Sequence, residues 1–198
     1  MKVSKVLMII GPLFLLGLFL FPLWNIRLEA PQYPIPLGMD IYFNKISDEQ
    51  PNDVKNINLM NHYVGMKEIP EHLPEFDIFP PVVVGMVVLG VVIGFFGNRK
   101  WYLFWFILMA LLGAAGVYDF YLWEYDYGHD LNPKAIMKFT NPDGSIMGFQ
   151  PPLWGTKHIL NFTAYSYPRM GAYLMFFGLL ITLIAYFLGR RESKLSRA

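Results

Sequence analysis

The chain has 198 residues, 55% of them hydrophobic and only 16% charged, with a formal net charge of +1 and a mean hydropathy of +0.36. Soluble domains carry about 25% charged residues, so this is the composition of a membrane protein. With no cysteine in the chain, disulfides, iron–sulfur clusters, covalent c-type haem and thiol redox chemistry are excluded.

A helix needs about 20 apolar residues to cross a hydrocarbon core of roughly 30 Å. The first such stretch is 6–24, which contains Pro12 and Pro22. Lys2 and Lys5 precede it like the basic start of a secretion signal, but the run exceeds the usual ~7–15 apolar residues. No small-x-small cleavage site follows before Ala30, so the stretch reads as an uncleaved anchor.

The loop 25–78 begins with Ile26, Leu28 and Ala30 as a short strand. Leu37, Met39, Ile41 and Phe43 then alternate with Gly38, Asp40, Tyr42 and Asn44, the period of a second strand. From Asp53 the period lengthens. Val54, Ile57, Met60 and Val64 share a helical face, with Asn52 or Asp53 as cap. A second apolar span covers 79–97 and a third 101–122, with Asp119 as the sole charged residue in any of the spans. Within the second, Gly90 and Gly94 form a small-xxx-small pair suited to close helix packing.

Tyr118 to Asp130 mixes tyrosines, Trp123 and carboxylates, side chains that bury rings while keeping polar tips wet. It reads as an interfacial collar, with a metal or partner rim around His129 as the functional alternative. In the loop 123–169, Ala135–Thr140 and Ser145–Phe149 flank Asn141-Pro142-Asp143-Gly144, a hairpin pattern. The fourth span is 170–188.

Segments 1–5, 98–100 and 189–198 hold eight basic residues against one acid, Glu192, whereas the two long loops hold eight basic and thirteen acidic residues. The positive-inside rule then orients the chain. The expected fold is four transmembrane helices with both termini cytoplasmic. A small mixed α/β extracytoplasmic cap, built from the two long loops, completes it. Neither loop alone is large enough for an adequate core.

All four histidines (His62, His72, His129, His158) lie outside the spans. A membrane haem b takes its axial ligands within the bundle, so no haem is expected. Asp119 alone makes no proton or ion path. No catalytic triad, His-Glu-x-x-His or nucleotide-binding motif appears, and nothing points to an enzyme. The sharpest feature is Asn61-His62-Tyr63-Val64-Gly65-Met66. If the helix from Asp53 continues, His62 and Met66 stand at i and i+4, pairing an imidazole with a thioether. That pair suits copper, the thioether favouring the reduced ion. Met39, Met60, Met137 and Met147 in the same loops add soft donors. A surface histidine beside a core methionine is the plainer account of the pair, because methionine commonly fills gaps.

Ala30-Pro31-Gln32-Tyr33-Pro34, Asn61 to Lys67, Tyr125 to Pro133, Gln150-Pro151-Pro152 and Leu160 to Ser166 recur together in one family. On these segments the chain resembles small bacterial integral membrane proteins encoded among the maturation genes of nitrous oxide reductase. The resemblance implies a periplasmic copper enzyme as partner, and copper as the metal handled, with His62, Met66 and His129 inside the matching motifs. Lipid-anchored copper chaperones of such clusters use cysteine for their anchor, and this chain has none. The leading expectation is a non-enzymatic accessory protein of the bacterial inner membrane. Its periplasmic cap docks that enzyme or its maturation proteins, or handles copper, with no nucleic-acid partner. The main alternative is a metal-free membrane anchor or structural subunit of a membrane complex. A third class, an electron-transfer or quinol-oxidising component, is opposed by the absent haem ligands and cysteines and leaves only flavin or quinone binding.

Overall fold

The computed structural model describes residues 2–195. Five helices and one sheet form: α1 Val3–Leu13, β1 Trp24–Glu29, β2 Leu37–Ile41, β3 Ile46–Asp48, α2 Asp53–Val64, α3 Glu75–Phe96, α4 Arg99–His129, β4 Gly155–Ile159, β5 Phe162–Pro168 and α5 Met170–Leu195. Three helices, α3, α4 and α5, are long and apolar enough to cross a membrane. Their outer faces expose residues such as Val88, Phe96, Leu111, Phe176 and Phe187, as lipid contact requires.

The first apolar stretch differs from a single α-helix over 6–24. After α1 it tightens into a 3₁₀ segment, Phe14–Phe19, and Trp24 already belongs to β1. Pro12, inside the last turn of α1, removes a backbone donor, and tightened i→i+3 turns are a usual way to end a helix. This short helix lies in the middle of the bundle. Gly11 sits against Gly178 and Thr182 of α5, while Gly90 and Gly94 of α3 receive Pro12 and Ile9. The Gly90–Gly94 pair is therefore a true close contact. Trp105 of α4, fully buried, donates its indole N–H to the Met86 carbonyl of α3 at 2.8 Å.

The five strands form one antiparallel sheet in the order β3-β2-β1-β5-β4. Three strands come from the first long loop and two from the second, so the loops share one cap. On its inner face Ile26, Leu37 and Met39 join Ile57 of α2 and Ile69 in a core. At 31 residues α4 is about 46 Å long, well beyond a hydrocarbon core of roughly 30 Å. Its last turns enter that cap core through Phe120, Trp123 and Tyr127. The outer face is polar. Arg27 pairs with Glu49, which Arg169 also reaches at 2.9 Å, and the Arg27 guanidinium holds the Glu49 carboxyl below its ordinary range.

The expected hairpin over 135–149 shrinks to the turn at Asn141–Gly144 and a single bridge, Thr140↔Ile146. Its backbone groups are engaged elsewhere: the Met137 N–H donates to Tyr63 and the Phe149 N–H to Gly128.

The glycine contacts predict a clear contrast. Gly90→Ala drives a methyl into the Pro12 ring and should destabilise the bundle by about 1–3 kcal/mol. Gly85→Ala, which meets nothing within 4 Å, should be neutral or stabilising by up to about 1 kcal/mol. Thermal unfolding of both variants in detergent checks the pair.

Candidate functional site

The helix carrying His62 stops before Met66. Gly65 adopts φ 83°, a left-handed conformation that glycine takes without strain. Its N–H bonds the His62 carbonyl at 3.3 Å, and the Met66 N–H bonds Asn61 at 2.9 Å. This pair of bonds is a Schellman C-cap. The i, i+4 pairing of His62 with Met66 on one continuous helix is therefore not formed, because Gly65 turns the chain. His62 stays exposed on the last turn of α2, while Met66 turns inward, half-buried.

His129 is the last residue of α4 and is exposed. Its ring stacks on Tyr125 with centroids 4.2 Å apart, and its Nδ1 lies 2.9 Å from the Tyr125 carbonyl. A carbonyl only accepts, so Nδ1 carries a proton; in the neutral ring the lone pair is on Nε2, the edge that lies beside Gly148. Among the described residues no hydrogen bond or ring contact joins His62 to His129.

The segments that carry these residues do come together. The Asn132 N–H donates to the Gly65 carbonyl at 2.8 Å, and Lys67 pairs with Asp130 at 2.6 Å. Among the described residues, no three of His, Cys, Asp and Glu gather as a metal group. His72 pairs with Asp77 at 3.0 Å, and His158 meets the Thr163 hydroxyl at 3.1 Å; both are exposed.

Between the inner sheet face, α2 and the end of α4 lies a half-open cavity of about 170 Å³. Met39, Met60, Met66 and Met137 all line it. So does Glu124, which is 1% exposed and has no hydrogen-bond partner for either carboxylate oxygen. Other polar groups in the wall are engaged. Asn61 donates to the Lys67 carbonyl, Gln32 to the Met60 sulfur, and the Tyr127 hydroxyl to the Glu68 carbonyl. The buried Trp123 Nε1–H also lacks an acceptor. The Tyr127 hydroxyl is near enough to feel it, without reaching hydrogen-bond geometry.

Glu124 lies beyond the third apolar stretch, in the part of α4 that packs into the cap. Burial with no compensating partner disfavours its charged form and pushes its pKa up to about 8. The sequence alone places it in the interfacial collar. The usable signal is its place beside the Phe120, Trp123, Tyr127 face, where an acid interrupts an aromatic stripe at helical spacing.

Searches against protein-family models, curated proteins and solved structures find no match to this chain.

Glu124 sets a pH dependence. Folded, it keeps its proton up to about pH 8, whereas unfolded it releases it near the ordinary 4.5. The folded state thus holds an extra proton in that window, and stability falls as pH rises through it. The slope should approach about 1.4 kcal/mol per pH unit, levelling off above the folded pKa. Unfolding measured from pH 5 to 9 should show this slope in the native chain and lose it in Glu124→Gln.

Proposed function

We propose that the chain is a non-enzymatic accessory protein of a bacterial cytoplasmic membrane, with its cap in the periplasm. There it docks a periplasmic copper enzyme of the nitrous oxide reductase type and handles that enzyme's copper. The proposed topology has four spans. The α1 helix and its 3₁₀ continuation rise about 28 Å together, close to the roughly 30 Å hydrocarbon thickness, so Val3–Phe19 serves as the fourth span. The basic residues at 2–5, 98–100 and 189–198 put both termini and the α3–α4 turn in the cytoplasm.

The observation that carries the copper reading is His129. With its Nδ1–H committed to the Tyr125 carbonyl, the Nε2 lone pair is available to a metal, the arrangement in which protein imidazoles usually bind one. The Lys67–Asp130 pair ties the Met66 segment to the same helix end. Met66 then supplies a thioether for the reduced ion and His62 a second imidazole for either oxidation state. Exposed Ile136 and Ile146 in the same loop offer an apolar face for the enzyme itself.

Because the chain lacks cysteine, single cysteines test the topology directly. Lys55→Cys in the cap should react with a membrane-impermeant maleimide on intact spheroplasts. Lys100→Cys should react only after lysis, and the reverse pattern would invert the orientation. For copper, anaerobic titration of the purified protein with Cu(I) against a chelator should show binding that His62→Ala combined with Met66→Ala weakens at least tenfold. Absence of binding would leave the metal-free anchor as the working function.

A further inference from the structure

The 170 Å³ cavity under the sheet is a different place from the exposed histidine rim, and its chemistry is different. Its walls are mostly aliphatic, thioether and aromatic, and two unpartnered polar groups are buried among them, the Glu124 carboxyl and the Trp123 Nε1–H. Glu124 does nothing for the fold that leucine would not do better, since it bonds to no protein atom. A buried, unpaired carboxyl lining a cavity marks a candidate ligand site.

Several occupants are set apart by size and donor count. A bare hard cation needs several oxygen donors converging at about 2–2.6 Å, and the wall offers a single carboxylate, Glu124. An ordered water needs two to four polar partners; one placed between the Glu124 carboxyl and the Trp123 N–H would leave most of the 170 Å³ apolar space unfilled. A cavity of similar size lined by aliphatic and aromatic side chains is known to admit benzene. Methionine sulfurs such as Met39 and Met60, with the edges of Trp123 and Tyr127, suit the faces and rim of such a ring. Glu124 then selects a ring with an oxygen on it. Protonated, the carboxyl donates to a carbonyl; ionised, it accepts from a hydroxyl. The site lies where α4 passes from its apolar stretch into the cap, within reach of molecules dissolved in the bilayer.

We propose that the cap cavity binds the oxygenated six-membered ring of a membrane-dissolved quinone or its quinol, with Glu124 as the hydrogen-bonding anchor. The proposal concerns binding alone and rests on neither His62 nor His129; Met66, which also lines the cavity, is the one residue it shares with the copper reading.

The test uses the full-length protein in detergent with a copper chelator present. Tetramethylbenzoquinone and its quinol, kept reduced under nitrogen, are titrated by calorimetry. The native chain should bind one ring per protein. Glu124→Leu should unfold at a higher temperature yet bind at least about tenfold more weakly, the loss of one strong hydrogen bond. Val64→Phe, which fills the cavity from the end of α2 and leaves Glu124 in place, should abolish binding and carries the test if Glu124→Leu does not fold. Failure of the native chain to bind, or equal binding by all three proteins, would overturn the site. So would saturation by silver(I) that Met39→Leu and Met60→Leu abolish, in a protein that ignores the ring. None of these outcomes depends on His62 or His129, so the copper proposal stands or falls separately.

Discussion

The structure depends on one antiparallel seam between the beginning and the end of the chain. It starts where the Ser4 hydroxyl meets Glu192 at 2.6 Å and continues through the Gly11–Gly178 contact of α1 with α5. It leaves the helices through the bonds of Gly171 to Pro22 and Arg169 to Leu23, both 2.9 Å. From there it becomes the β1–β5 ladder, Trp24↔Pro168 to Glu29↔Thr163. Glycines make the helical half possible. Van der Waals contact drives packing between apolar helices in lipid, and only small residues allow the backbones close enough. Because helix pair and strand pair are continuous, the cap is an extension of the bundle, and neither loop has to fold by itself.

That seam also explains the uneven polarity of the cap. The sheet face carrying Asn25 and Arg27 closes its polar groups internally, with Glu49 accepting from Asn25, Arg27 and Arg169. The opposite face is covered by α2 and by the end of α4, which arrives from a different part of the bundle. Phe120, Trp123 and Tyr127 fill part of the space; the remainder is the cavity, and Glu124 is stranded in it. A buried carboxyl without a partner opposes folding. The contrast with the fully paired opposite face marks the inner face as the one shaped by something other than stability.

The legible parts of the sequence were those governed by local periodicity. Three of the four apolar stretches, the β1 and β2 alternation and the helix from Asp53 appear as elements near the expected residues, while the first stretch divides into a short helix, a 3₁₀ segment and the start of β1. What escaped depends on distant partners. Strands β4 and β5 were not assigned because Thr156, Lys157 and His158 form an unbroken polar run, and because β5 is paired to a strand about 140 residues earlier. The 135–149 hairpin was plausible by its turn residues, yet the N–H groups of Met137 and Phe149 donate instead to Tyr63 of α2 and Gly128 of α4. Gly65 was visible in the sequence as a helix stop, and weighing it would have separated His62 from Met66. The inward position of Glu124 depends on α4 running past the apolar stretch into the cap, which composition alone places at the membrane surface.

The two candidate chemistries therefore belong to two solvents. His62 and His129 stand exposed on the last turns of α2 and α4, the place proposed for copper. Met66 is half-buried between that rim and the cavity, where Met39 and Met60 lie among apolar side chains. A thioether has little affinity for hard, hydrated ions, so methionines this enclosed act first as soft, adaptable packing. For the cavity, the deciding group is then the acid. An oxygen atom brought in on an apolar ring meets the unpaired carboxyl while the ring replaces void with contact, so both gains come from the same ligand.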